Sequence, residues 1–381
     1  MRERGGEDWL RYPLAVKADR RAEVKPARAS ILVTGGSGYI GLHTVRELQE
    51  HGYAVVVLDR RPPPDPSVLR GATLVLGDVR SRDVLEAVFA AHSVLGVVHI
   101  AGEKSVEDSF RDPGYYIDNN LGGSVALLDA MVRAEVRCIV FSSSAAVYGV
   151  PRRLPVRESA ALRPVNPYGE SKLFAERTLH WFDGSHGVRF AALRYFNAAG
   201  ASRDGDIGED WSRATNLIPV AMRAVLQAGP PLRIFGTDYA TPDGTAVRDY
   251  IHVSDLARAH VSALERLRGG SGSFTVNLGT GTGVSVRQVV DLLAAISGRV
   301  VPQVSAPRRT GDPPAVWADN RRAQQLLGWR PWHRIDDIVS SAWRWHSGPG
   351  SLGDPSGRAR RGRRSGGRRG DAPASEANPS P

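Results

Sequence analysis

Short apolar runs punctuate the first half of the chain, each followed by a stretch with helical spacing. Ser30–Thr34, Ala54–Asp59, Thr73–Asp78, Gly96–Gly102 and Cys138–Phe141 are rich in Val, Ile and Leu and too short for helices, so they read as strands. Their side chains are apolar on both faces, the signature of a parallel sheet covered on each side. Strands alternating with helices predict a doubly wound α/β fold of the Rossmann type, with ligands gathered at the carboxyl ends of the strands. A smaller α/β substrate domain is expected after it, with crossovers returning to the first. The expected division is an extension over 1–29, a dinucleotide domain over 30–192, a mainly substrate-binding domain over 193–347, and an Arg/Gly/Pro-rich disordered tail over 348–381.

Composition changes this picture little. The 381 residues are 41% hydrophobic, enough for a large core. Charge invites a nucleic-acid reading, since the net is +10. The first thirty residues hold eight cations against five anions and residues 348–381 seven against three, which leaves about +3 for everything between. The Arg358–Arg369 cluster is the one segment expected to meet an anionic partner, and solvated linker is the preferred reading. Cys138 is the sole cysteine, so no internal disulfide forms and a cytoplasmic home is expected. No apolar run reaches membrane length, and the first thirty residues lack a signal-peptide core. No His or Cys cluster has metal-site spacing, and His99, on an apolar strand, reads as a satisfied buried histidine.

The first strand runs into Gly35-Gly36-Ser37-Gly38-Tyr39-Ile40-Gly41. Glycines at these spacings permit a tight turn, let the backbone approach a pyrophosphate and pack the next helix, whose N-terminus faces the phosphates. Asp59 closes the second strand 18 residues beyond Gly41, where a carboxylate binds ribose hydroxyls and points to NAD. Arg60 and Arg61 are the competing signal, because an arginine there can pair with the 2′-phosphate of NADP.

Asn166-Pro167-Tyr168-Gly169-Glu170-Ser171-Lys172 carries the candidate chemistry. Asn before Pro is a helix start, N-cap then first helical position. Tyr168 and Lys172 then share a face. A neighbouring ammonium favours a phenolate, which makes Tyr168 a candidate general base. Moving a phenol from near 10 to about 7 takes about 4 kcal/mol. One exposed lysine does not supply that, and an oxidised nicotinamide would be a second cation. The Ser142-Ser143-Ser144 end of the fifth strand brings Ser144 to the same sheet edge.

These motifs, with Ser144 through Gly149, Leu193–Asn197, Val247–His252 and Ala306–Asp312, closely resemble the UDP-glucose 4-epimerases, an extended short-chain dehydrogenase/reductase family. The likeness runs from about Ser30 to about Trp345. It implies Tyr168 as base, Ser144 as its hydroxyl partner and Lys172 as the cation joining tyrosine and nicotinamide ribose. It implies tightly held NAD on Gly35, Gly38, Tyr39, Ile40, Gly41, Asp59, Asp78, Val79, Ala101, Gly102, Lys104, Asn119 and Phe196, besides Ser144, Tyr168 and Lys172. On the sugar-nucleotide side it implies Asn197, Asn216, Arg248, Arg309, Asp312 and Val316, with Ser144 and Tyr168. Arginine suits diphosphate because its planar fork meets two oxygens at once. The implied reaction interconverts UDP-galactose and UDP-glucose through a 4-keto sugar, with NAD reduced and reoxidised within one turnover. The small Val316 beside the sugar's C2 substituent extends the expected substrates to UDP-GalNAc and UDP-GlcNAc. The resemblance also implies a homodimer.

Two other readings stand beside it. One is a sibling such as a UDP-glucuronate or UDP-xylose 4-epimerase or a 4,6-dehydratase; Ala145 and Ala146 occupy the place of the dehydratases' acidic pair and count against elimination. The other is a non-catalytic dinucleotide sensor using the basic tail, against which the intact Tyr168–Lys172 pair argues.

Overall fold

The computed structural model describes residues 29–210, 214–309 and 311–348. The extension expected over 1–29 and the Arg-rich tail lie almost wholly outside the described residues. Seven strands form one sheet in the order Phe274–Leu278, Arg189–Tyr195 (β6), Cys138–Ser144 (β5), Val94–His99 (β4), Ser30–Thr34 (β1), Ala54–Asp59 (β2) and Thr73–Leu76 (β3). Every pairing is parallel. β1 is wholly buried, as a strand with both faces covered must be. One face packs Ile31, Val33, Val57 and Val140 against one cluster, and the other packs Leu32, Val56, Val97 and Ile139 against a second. The helices Tyr39–Glu50 (α1), Arg82–Ala91 (α2), Val106–Arg111 (α3), Pro113–Ile117 (α4), Gly123–Arg133 (α5) and Pro167–His186 (α6) belong to this half.

The order reverses at β1, which sits between β2 and β4. A crevice therefore opens at the carboxyl ends of β1 and β4, the place where doubly wound sheets bind nucleotides. β3 stops at Leu76 and leaves Gly77 and Asp78 in the following turn, two residues earlier than the apolar pattern predicts. β4 begins at Val94 and ends at His99, so Ala101 and Gly102 are loop.

The later chain builds a second group of small elements, then returns. Leu217–Val225 (α7), Val286–Ser297 and Ile335–Ser347 pack around Ile218, Met222, Val290 and Ile338. Three short sheets accompany them: Asn197–Ala199 with Tyr250–His252, Leu232–Phe235 with Gln303–Ala306, and Val247–Arg248 between Val284–Ser285 and Ala315–Val316. Between them Val253–Arg268 (α8) packs on α1, and Phe274–Leu278 rejoins the large sheet beside β6.

Candidate active site

Four glycines shape the turn after β1. Gly35 has φ +71°, and a Cβ there would lie 2.6 Å from the Ala101 nitrogen. A Cβ on Gly41 would lie 2.2 Å from the Gly35 carbonyl oxygen, and one on Gly36 would meet Val57. Gly38 differs, for its Cβ would meet only the Gly35 carbonyl, at 3.3 Å, and otherwise faces open space. Three glycines thus close the turn, and the fourth leaves backbone clear for a diphosphate at the start of α1. The Asp59 carboxylate accepts from Ser37 N at 3.1 Å and Arg61 N at 3.2 Å, so it lies against this turn. Arg60 is committed elsewhere, to Glu103 at 2.6 Å and the Tyr115 hydroxyl at 3.2 Å. These residues fit an adenosine ribose with free hydroxyls.

The other predicted cofactor residues are each held by contacts of their own. Ala101 N reaches the Thr34 carbonyl at 3.0 Å, tying the loop after β4 to the end of β1. Gly102 has φ +157°, and a Cβ there would stand 3.0 Å from Asn120 Oδ1 and 3.4 Å from Lys172 Nζ. Asn119 is buried in a π turn over Asp118–Gly122, a local widening that recurs at functional sites. The Asp78 carboxyl is held below its usual range by Arg80, 2.7 Å away, and Val79 is buried beside Gly123. Tyr39 donates to the Gly200 carbonyl at 2.6 Å, and Ile40 packs into the core. Lys104 pairs with buried Glu209 at 2.7 Å.

The chemistry-bearing side chains meet at the end of β5. Asn166 caps α6 by accepting from Gly169 N at 2.8 Å, with Pro167 at the first helical position. A Cβ on Gly169 would lie 2.7 Å from the Ala146 carbonyl, so glycine lets the helix start press onto the turn after Ser144. That contact delivers Tyr168 to the side of Ser144, whose hydroxyl accepts from Ala146 N at 3.1 Å. Burial pushes the Tyr168 phenol above its ordinary value, and the nearby Ser144 opposes the rise. Lys172 is buried, donates to the Ser142 carbonyl at 3.0 Å and is pushed down to about 8 by burial, against the pull of Glu176. These side chains by themselves therefore give a neutral phenol beside an ammonium already engaged by β5. His99 is satisfied on both nitrogens, by Thr34 at 2.6 Å and Ser124 at 3.0 Å.

The predicted sugar-nucleotide residues fall into two groups. Val316, and Phe196 predicted for the cofactor, belong to one apolar cluster with Tyr148 and with Leu173 of α6. Val316 is in register with Arg248, which ion-pairs with Asp312. Asn197 donates to the Asp249 carbonyl at 3.1 Å, and Asn216 begins α7 and reaches Glu209 at 3.4 Å. Arg309 is exposed over the Phe235 ring at 4.0 Å, engaged by no carboxylate among the described residues.

Sequence reasoning passed over several residues. Asn120 joins the Glu103 backbone to Ser171 on α6, and its only signal was the adjacent Asn119. Asp249 is fully buried and takes Thr280, Gly281 and Ala318 backbone donors, fixing the segment that carries Arg248. Glu176 had a signal, the row Tyr168, Lys172, Glu176 at a spacing of four along one helix face.

A doubly wound sheet with a glycine turn at its switch point and a Ser–Tyr–Lys set two strands away defines a dinucleotide-dependent enzyme of the short-chain dehydrogenase/reductase type. The chain belongs to the NAD-dependent epimerase/dehydratase family, whose model matches residues 31–279. It is 47% identical over 341 residues to a UDP-glucose 4-epimerase of Azospirillum brasilense, covering 88% of this chain and 98% of that protein. Its fold matches the crystal structure of UDP-glucose 4-epimerase from Brucella ovis in complex with NAD, with TM-score 0.80 and 44% identity over 83% of this chain and 98% of the other. The UDP-Glc/GlcNAc 4-epimerase of Campylobacter jejuni is similar at TM-score 0.74 and 34% identity, covering 84% and 99%.

Proposed function

We propose that this chain is a UDP-glucose 4-epimerase that interconverts UDP-galactose and UDP-glucose with NAD as resident cofactor. The observation that carries the reading is Tyr168 and Lys172 four apart on α6, with Lys172 anchored to β5 at the Ser142 carbonyl and lying near Gly102, in a member of this family. When bound, NAD would supply reversible hydride chemistry at the sugar C4, ending each turnover in its starting oxidation state. Tyr168 removes the proton from the sugar O4, with Ser144 holding the same oxygen. After the 4-keto sugar turns about its diphosphate and presents its other face, hydride returning to that face of C4 would invert the configuration, and Tyr168 gives the proton back to O4. Lys172 supplies positive charge to the phenolate while anchored on β5. Arg248 and Arg309 hold the diphosphate, and Asn197, Asn216 and Asp312 hold sugar and uridine.

The division of labour expected from the sequence goes with this reading: cofactor groups on 30–192, sugar-nucleotide groups mainly on 193–347. A second substrate pair, UDP-GalNAc and UDP-GlcNAc, is favoured by Val316, a small side chain in the apolar wall beside Phe196. The similar Campylobacter protein is described as acting on GlcNAc as well. We propose a homodimer too, supported by exposed Phe110, Phe174 and Trp181 on neighbouring α3 and α6, and a cytoplasmic location.

The test is to incubate the purified chain, without added cofactor, separately with UDP-galactose and UDP-GalNAc and follow the anomeric proton by NMR. Conversion of both is expected. Conversion of UDP-galactose alone would refute the Val316 reading, and conversion of neither, with NAD supplied, would refute the epimerase.

A further inference from the structure

Beneath the catalytic face lies a buried polar cluster with no part in the proton path described above. Glu176 is one helical turn beyond Lys172 and almost fully buried. Its carboxylate accepts from Arg194 Nε at 2.9 Å and Nη2 at 2.5 Å, and from the Ser143 hydroxyl. Arg194 Nη1 donates to the Tyr148 hydroxyl at 3.0 Å and the Glu158 carbonyl at 3.3 Å. Tyr148 donates on to Asn277 Oδ1 at 2.6 Å. α6, β5 and β6 therefore meet at one carboxylate, and Arg194 links it on to the turn after Ser144 and the returning strand.

We propose that Glu176 is a positioning residue of the epimerase site: clamped by Arg194 and Ser143, its carboxylate fixes the catalytic helix against β5 and supplies the counter-charge of Lys172. The proposal rests on the reading of Lys172 as the site's cation. A buried ion pair is weak evidence of stabilisation, because desolvation of both charges offsets their attraction. Placement is the stronger argument. Ser143 precedes Ser144, Arg194 precedes the Tyr195-Phe196-Asn197 stretch, and Glu176 follows Lys172 on its own face.

The surroundings of Lys172 show why the charge matters there. From β4 comes His99, pushed down to about 3 and hence neutral. From β5 come the Ser142 carbonyl and the Phe141 ring, 5.0 Å from Nζ. The neutral Asn120 side chain lies beyond Gly102, and from β6 Tyr195 is a phenol raised by burial. Arg194, also from β6, is a cation locked onto Glu176, and Tyr168 is the phenol on the helix itself. Among the described residues Glu176 is the anion acting on Lys172, and even with its help burial takes the ammonium down to about 8.

The test is the pH dependence of kcat/KM for UDP-galactose in wild type, Glu176→Gln, Glu176→Asp and the paired Glu176→Leu/Arg194→Met, with melting temperature and bound NAD measured alongside. The ammonium form is the active one, so activity falls as pH rises through the Lys172 value, and removing a nearby anion lowers that value. The alkaline limb is expected to move down by about one pH unit in Glu176→Gln, and by less in the pair, which removes a buried cation together with the anion. Glu176→Asp, which keeps the charge, is expected to hold the limb near its wild-type position even if it melts earlier. An unmoved limb in a folded, NAD-loaded Gln variant overturns the proposal, as does an Asp variant shifted as far as Gln or a pair shifted further than Gln. Absence of turnover in wild type overturns the epimerase reading itself.

Discussion

Tyr168 is under two opposed demands. Its burial favours the neutral phenol, whereas a base must be the phenolate, and Lys172 has already given a hydrogen bond to the Ser142 carbonyl. On the proposed role of Tyr168, the remaining positive charge would come from a bound nicotinamide, which would tie the base's activation to an occupied cofactor site. Replacing the phenol with Tyr168→Phe is expected to lower kcat by about 10²–10⁴-fold, the usual reach of one acid–base group. NAD content of the purified variant should stay near wild type, since the hydroxyl is not needed for the glycine turn to hold a diphosphate; near-normal turnover would refute the assignment. Tyr168, Lys172 and Ser144 are legible in the sequence because local spacing and short motifs carry them. Asn120, Asp249 and the partners of Glu176 are not, because their roles arise from residues distant along the chain, and no local pattern encodes such a meeting.

At the level of elements, α6 shows how one helix serves two surfaces. Its inner face presents Tyr168, Lys172 and Glu176, fixed by the Asn166 cap and by Gly169 against the turn after β5. Its outer face leaves Trp181 78% exposed and Phe174 38%, with Phe110 of α3 at 53%. Large apolar side chains gathered on one exposed face mark an interaction surface. If a second copy covers that face, Trp181→Glu places a charge in the contact and should convert a dimer to a monomer in sedimentation equilibrium. A wild-type chain that sediments as a monomer would rule the interface out. The long elements are readable because their apolar period extends over several turns or pleats. Strands of two or three residues, such as Val247–Arg248 and Ala315–Val316, have no period to read, yet they set Val316 beside Arg248.

Across the whole molecule, the parallel sheet is legible as a series of apolar runs, but the return of Phe274–Leu278 to the edge of β6 is not, because an apolar pentamer does not name its neighbour. That return draws α8 across α1 and buries histidines along the way. His43, His260 and His346 are pushed down to about 4, and His99 and His252 to about 3, burial being the main cause in each. In the unfolded chain each titrates near 6.5. Below that pH the unfolded state binds more protons, so stability falls as pH falls, by up to about 1.4 kcal/mol per pH unit for each histidine until its folded value is reached. Five such groups acting together weigh heavily against a net stability of about 5–15 kcal/mol. The melting temperature of the NAD-loaded protein should therefore drop steeply between pH 6.5 and 5, before most surface carboxylates titrate. Calorimetry across that range checks it, and a melting temperature that stays level down to pH 5 would mean that these histidines take up protons in the folded state.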